Sequence, residues 1–180
     1  MNFVNTPEHI HLLINHLPLV GFGAAALALL YALIIKDKKS LMLGFLFTII
    51  FGGATYFVIE TGEAAHERFE SPPLETLIGG EGIEWMEIHH ERAETVSKLM
   101  YATAALGLIG LILGFTDTRR LFIVGFLALL MSLASVGAGM WVADAGGKIH
   151  HPEFRSTPVM QPETDKDNNG HNHGHDHGHD

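Results

Sequence analysis

Four long apolar stretches dominate the chain, and short or strongly charged segments separate them. They cover approximately residues 12–35, 41–59, 96–115 and 121–142 of the 180-residue sequence. A helix needs about 20 residues to cross a hydrocarbon core of about 30 Å, and each stretch has about that length. Because the stretches contain few charges, the pattern predicts four transmembrane helices rather than buried strands.

The connections after the first and third stretches are short and basic. They read "KDKKS" and "TDTRR", and they hold five of the eleven lysines and arginines of the chain. Dense basic residues in short loops mark the cytoplasmic side of a membrane. Short loops also join antiparallel neighbours. The pattern therefore predicts an antiparallel four-helix bundle in the cytoplasmic (inner) membrane, with both termini extracytoplasmic.

The second and third helices are predicted to continue beyond the lipid. "ETGEAAHERFE" extends the second helix until Ser71-Pro72-Pro73 stops it, and "IEWMEIHHERAETVSK" leads into the third span. About 10 extra residues on each helix correspond to about 15 Å. Residues 1–155 are thus predicted to form the bundle with an outer cap of histidines and carboxylates. Residues 156–180 form a polar, histidine-rich tail without apolar periodicity.

Composition excludes several classes of site. The chain has no cysteine, which removes disulfides, thiolate metal sites and covalent c-type haem attachment. The formal net charge is −9, which disfavours a nucleic-acid partner. Without a cysteine or a positioned serine nucleophile, the sequence favours a binding or electron-transfer protein over an enzyme. We assign no catalytic residue.

Thirteen histidines are present, and counting residues outward from the basic loops places all of them on the outer side. His16 lies inside an apolar run two residues before Pro18, where the helix is predicted to kink. An ionisable side chain at membrane depth indicates a functional site. The spacings Glu63-x-x-His66 and Glu87-x-x-His90 place a carboxylate and an imidazole on one helix face, which suits a metal ion or, equally, a solvated acidic face.

Four motifs, "LLINHLPLVG", "ETGEAAHE", "HHERAE" and "GGKIHHPEF", resemble a family of small bacterial four-helix membrane proteins of unknown function. The family pattern is Asn-His-x-Pro, Thr-Gly-Glu, His-Glu and Gly-Gly-x-Ile-x-His-x-Glu. The resemblance covers approximately residues 8–155 and implies the fold, but no activity. The matching positions are Asn15, His16, Pro18, Thr61, Gly62, Glu63, His90, Glu91, Gly146, Gly147, His151 and Glu153.

Imidazoles and carboxylates in this subset suit a transition metal ion, namely zinc, copper or iron. We expect the ligands to be His16, Glu63, His90, Glu91, His151 and Glu153. Secondary candidates are His11, His66, His89 and His150. Gly146 and Gly147 are expected to end the fourth helix. The chain is then expected to fold back as a lid that carries His151 and Glu153 toward His16 and His90.

Two other functions stay open. Two imidazoles from facing helices could hold haem b and pass electrons, although the surplus of carboxylates favours a bare cation. The chain could also be a structural subunit of a membrane complex. The expected partners are the lipid bilayer and a redox or membrane-complex protein. The leading hypothesis remains a membrane protein that binds a transition metal at its extracytoplasmic face, in redox or metal homeostasis. In the tail, five alternating histidines are expected to capture metal weakly, unless they are a tag or a solvated tail: His171, His173, His175, His177 and His179.

Overall fold

The computed structural model describes residues 6–69, 75–116 and 118–155. The predicted stop at Ser71–Pro73 and the tail histidines lie outside these ranges. Within them the secondary structure is helical, which confirms the predicted all-α class. The helices are α1 (Pro7–Ile14), α2 (Leu17–Ile35), α3 (Lys38–Phe69), α4 (Glu75–Leu113) and α5 (Thr118–His150), followed by a 3₁₀ turn at Pro152–Phe154.

Four helical segments are long and apolar enough to cross a membrane. They are Pro7–Ile35, Lys38–Phe69, Gly79–Leu113 and Arg119–His150. The third begins at Gly79, whose φ of 68° interrupts α4 in a backbone conformation that favours glycine. Large apolar side chains cover the outside of the bundle, as expected for a multi-pass membrane protein whose outer surface meets lipid. Examples are Leu27, Ile34, Ile112 and Phe115.

The first span contains the predicted break. α1 ends at Ile14 and α2 begins at Leu17, with Asn15 and His16 in a turn between them. Pro18 lacks the N–H group that would bond the carbonyl of Ile14, so the helical ladder is interrupted there. It resumes with the bond from the Val20 N–H to the His16 carbonyl at 3.0 Å.

A tight connection joins α2 to α3. Lys36 adopts a left-handed conformation with φ 54°, which reverses the chain. Asp37 then caps α3, because its Oδ2 accepts hydrogen bonds from the backbone N–H and the hydroxyl of Ser40, both at 2.7 Å. Both bonds lower the pKa of Asp37 from its usual value, and the bond from the hydroxyl has the larger effect.

The bundle has α2 and α4 at opposite corners, because each packs against α3 and α5. Its centre is filled by fully buried Phe22, Leu29 and Phe45. Buried hydroxyl groups join the helices between these apolar layers. The hydroxyls of Thr103 on α4 and Ser135 on α5, for example, lie 3.2 Å apart. Such contacts strengthen the association of helices in lipid, where the hydrophobic effect does not drive helices together.

Glycines allow the helices to approach closely at several positions. A methyl group at Gly21 would overlap the ring of Phe51, and one at Gly110 would overlap the ring of Phe45. Gly53 differs, since a methyl group there would meet nothing within 4 Å. The packing role therefore belongs to some of the small residues and not to all of them.

The expected helix end at Gly146 and Gly147 is wrong. α5 continues through both glycines to His150. Arg155 supports this longer helix, because its guanidinium donates to the carbonyls of Lys148 and Ile149 at 2.8 Å each. Those carbonyls belong to the last turn, where no helical N–H follows to bond them.

Candidate functional site

Ionisable side chains gather where α1 and α4 begin and α3 and α5 end. We call this region the polar end and define it as residues 8–16, 60–69, 81–92 and 144–155. Ion pairs connect its parts: Arg68 Nε lies 2.8 Å from Glu8 Oε1, and Arg155 Nη1 lies 3.1 Å from Glu81 Oε2. The polar end is the part of the described chain with the chemistry for a site.

Two helices of the polar end form a groove, which we call the α3–α4 groove and define by Glu63, His66, Glu67, Glu87 and His90. The rings of His66 and His90 meet edge to face with centroids 4.8 Å apart. His66 Nε2 lies 3.4 Å from Glu87 Oε2. A cavity of about 190 Å³ is lined by Glu63, His66, Glu67 and His90.

The groove brings together the two Glu-x-x-His pairs, one from α3 and one from α4. Three carboxylates surround two imidazoles, so the local charge attracts cations. In the present side-chain positions, no three metal-binding side chains among the described residues already converge on one point. Binding of an ion here therefore requires rotation of side chains, while the helices already supply the donors.

The six expected ligands do not form one group in the described chain. Glu63 and His90 share the α3–α4 groove with His66. His16 is exposed in the turn between α1 and α2, and Glu91 is also exposed.

His151 and Glu153 are exposed and bond to each other, with His151 Nδ1 2.9 Å from Glu153 Oε1. The ring of Phe154 lies beside the imidazole of His151, with centroids 5.0 Å apart. Two hydrogen bonds lower the pKa of Glu153. The larger effect comes from its own backbone N–H, and the second from His151. The pair thus belongs to the turn after α5. His150, one of the secondary candidates, is exposed as well.

Two of the secondary candidates are held by hydrogen bonds to backbone carbonyls on a neighbouring helix. His11 Nδ1 lies 3.1 Å from the carbonyl oxygen of Val58, and His89 Nδ1 lies 3.0 Å from that of Val142. Both rings are partly buried. A carbonyl oxygen only accepts hydrogen bonds, so each Nδ1 carries the proton and each Nε2 carries a lone pair.

An internal repeat in the sequence points to this pair. Val-x-Glu-x-Gly-x-x-x-His at 58–66 matches Val-x-Asp-x-Gly-x-x-x-His at 142–150. The valines are the residues whose carbonyls accept from His11 and His89. Sequence reasoning treated each histidine separately and did not use the similarity between the two halves of the chain.

Comparison of the chain with models of known protein families, with curated proteins and with solved structures found no match. The function is therefore argued from the chemistry of the polar end alone.

Proposed function

We propose that this protein binds a divalent transition metal ion in the α3–α4 groove, at the extracytoplasmic face of the cytoplasmic membrane. In this proposal the four spans cross the membrane in alternating directions, and α3 and α4 project beyond the lipid. The orientation is supported by the basic residues near the α2–α3 and α4–α5 connections, because such residues favour the cytoplasmic side. Both termini then face outward together with the polar end.

The observation that carries the proposal is the contact between His66 and His90 across the groove, with ring centroids 4.8 Å apart. Two imidazole nitrogens bound to one zinc ion each lie about 2.0–2.1 Å from it, so their rings must come close together. Small rotations of adjacent imidazoles can satisfy that requirement. Glu63 and Glu67 line the same cavity, and Glu87 lies beside His66. Carboxylate oxygens that can bind a metal ion are therefore close to the two imidazoles.

The donor set selects a class of metal. Imidazole nitrogens combined with carboxylate oxygens suit zinc, copper and iron, whereas calcium and magnesium prefer oxygen alone. The carboxylates also neutralise the charge of a divalent ion. We infer a role in metal homeostasis or in holding a redox-active metal outside the membrane.

The test is metal affinity in the full chain with its five tail histidines replaced by asparagine, which removes competing donors. Zinc affinity is measured in detergent by competition with a chromophoric chelator. His66→Ala and His90→Ala should each weaken binding at least about tenfold, since the loss of even an indirect supporting residue has that effect. His150→Ala is the matched control, because His150 occupies the position of His66 in the repeat and is exposed. Equal affinities in all three variants would refute the groove as the site.

A further inference from the structure

The second feature of the polar end is the pair His11 and His89, which lies outside the α3–α4 groove. Each imidazole is fixed by its bond to a backbone carbonyl, at 3.1 Å for His11 and 3.0 Å for His89. Metal-ligating histidines commonly donate their other ring N–H to such an acceptor, which sets the tautomer and the ring orientation. Neither Nε2 has a hydrogen-bond partner among the described residues. Both rings therefore present a ligand nitrogen.

The two rings also rest on equivalent glycines. A Cβ placed on Gly62 would lie 3.0 Å from Cε1 of His11, and one on Gly146 would lie 3.0 Å from Cε1 of His89. Each Nε2 is farther away, at 3.9 and 3.8 Å respectively, so each points away from its glycine. In both halves the glycine follows the accepting valine by four residues, which places it one turn along the same helix face. We call each such setting of an imidazole, formed by a valine carbonyl and a glycine, a seat. The two seats have the same geometry.

The two seats are formed by different pairs of helices. His11 on α1 sits against α3, and His89 on α4 sits against α5. Both rings belong to the polar end and are partly buried, and Arg92 follows His89 by three residues on α4. Among the described residues, neither imidazole bonds to a carboxylate, in contrast to His66 and His151.

We propose that His11 and His89 are the two axial ligands of a haem b held between the two halves of the bundle. An iron porphyrin brings four nitrogen ligands and takes its axial ligands from the protein, and helix bundles place such histidines on facing helices. A pair of neutral imidazoles without carboxylates matches that requirement. A bare zinc ion would need at least one further protein ligand. Arg92 on α4 already pairs with Asp144 at 3.4 Å and donates to the carbonyl of Trp141 at 2.9 Å, so a propionate would share this cation with Asp144.

The experiment titrates haemin into the purified full chain in detergent and follows the Soret band. The wild-type chain should bind one haem with the low-spin spectrum of two imidazole ligands. His11→Asn and His89→Asn retain an N–H group that can donate to the valine carbonyl but remove the Nε2 ligand. Each should weaken haem binding at least about tenfold and abolish the bis-imidazole spectrum. His150→Asn, on the exposed residue, should bind haem as the wild type does.

Two results would overturn the proposal: a folded wild-type chain that binds no haem, or asparagine variants that keep the wild-type spectrum and affinity. In the second case the histidines only pack the helices. If circular dichroism shows that an asparagine variant has lost its helices, His89→Met takes its place. It offers a thioether ligand and should shift the spectrum, whereas an unchanged spectrum again overturns the proposal. His66→Ala should leave haem binding intact, which separates this site from the groove.

Discussion

Arg68 on α3 forms an ion pair with Glu8 on α1, with Nε 2.8 Å from Oε1. The pair joins the start of the chain to the helix that carries two of the proposed ligand-binding features: the groove residue His66 and the glycine beneath His11. α1 begins next to this ion pair and ends only two turns later, before the break at Pro18. The pair therefore helps to fix the position of His11.

Removal of the Glu8–Arg68 pair should have a small effect on stability. The Arg68 side chain is 49% exposed and that of Glu8 is 23% exposed, so water and salt screen the attraction. A double-mutant cycle with Glu8→Gln and Arg68→Gln, followed by denaturant unfolding in detergent, should give a coupling energy of about 0.2–1 kcal/mol. High salt should reduce it. A coupling energy above about 3 kcal/mol would indicate a buried pair instead.

Glycine substitutions should separate packing positions from free ones. Gly110→Ala places a methyl group against the ring of Phe45 and should destabilise the bundle by about 1–3 kcal/mol. Gly53→Ala meets no atom within 4 Å and should be neutral or stabilising by up to about 1 kcal/mol, because alanine favours the helix. Unfolding midpoints of the two variants in the same detergent give the comparison. Equal destabilisation by both would contradict the packing seen around Gly110.

The proposed orientation predicts opposite compartments for two fusion points. A reporter that is active only in the cytoplasm should work when fused after Ser40, because the α2–α3 connection and the first turn of α3 carry Lys36, Lys38 and Lys39. The same reporter at the C-terminus should be inactive, and a periplasmic reporter there should be active. A cytoplasmic C-terminus would place the polar end inside the cell and remove the extracytoplasmic site.

The four spans were predictable because apolar runs of sufficient length have one structural solution in lipid. The break at Pro18 was equally predictable, since the missing N–H is a local property of the residue. The sequence also shows that Glu63 and His66 share a face, because helical spacing decides it. It does not show which faces of different helices meet, so the contact of His66 with His90 needed the structure.

The wrong helix end at Gly146 and Gly147 has the same origin. Gly146 and Gly147 carry the composition of a helix end, but Gly146 serves instead to admit the ring of His89. His16 was favoured because of its depth in an apolar run; its side chain is exposed, and its role as a ligand stays a prediction. Local composition suggests a role for such residues, whereas the neighbouring helix decides it. The repeat around Gly62 and Gly146 was the one sequence signal that linked distant helices.

The turn after α5 should respond to acid through Glu153. The pKa of Glu153 is lowered in the folded chain, mainly by the hydrogen bond from its own backbone N–H and secondly by the one to His151. A lowered folded-state pKa means that the charged carboxylate stabilises the turn above the usual glutamate range, and that this contribution is lost as pH falls through the lowered value. Carbon-13 NMR of the carboxyl group should show a low midpoint. In His151→Ala the midpoint should rise only part of the way, because the backbone donor remains, and in His150→Ala it should not move. An unchanged midpoint in His151→Ala would show that the imidazole does not reach the carboxylate.

Deletion of residues 156–180 should distinguish metal capture by the tail from binding in the groove. The tail contains five histidines separated by single residues, a composition that binds divalent metals weakly. The groove combines imidazoles and carboxylates held by two helices, so its affinity should be higher and its stoichiometry fixed. Under excess zinc, the truncated chain should hold fewer ions than the full chain, measured by elemental analysis after gel filtration. Under limiting zinc, both should retain one ion, and His66→Ala should release it from the truncated chain. If truncation alone removes all bound zinc, the tail is the binding site and the α3–α4 groove is a solvated acidic face.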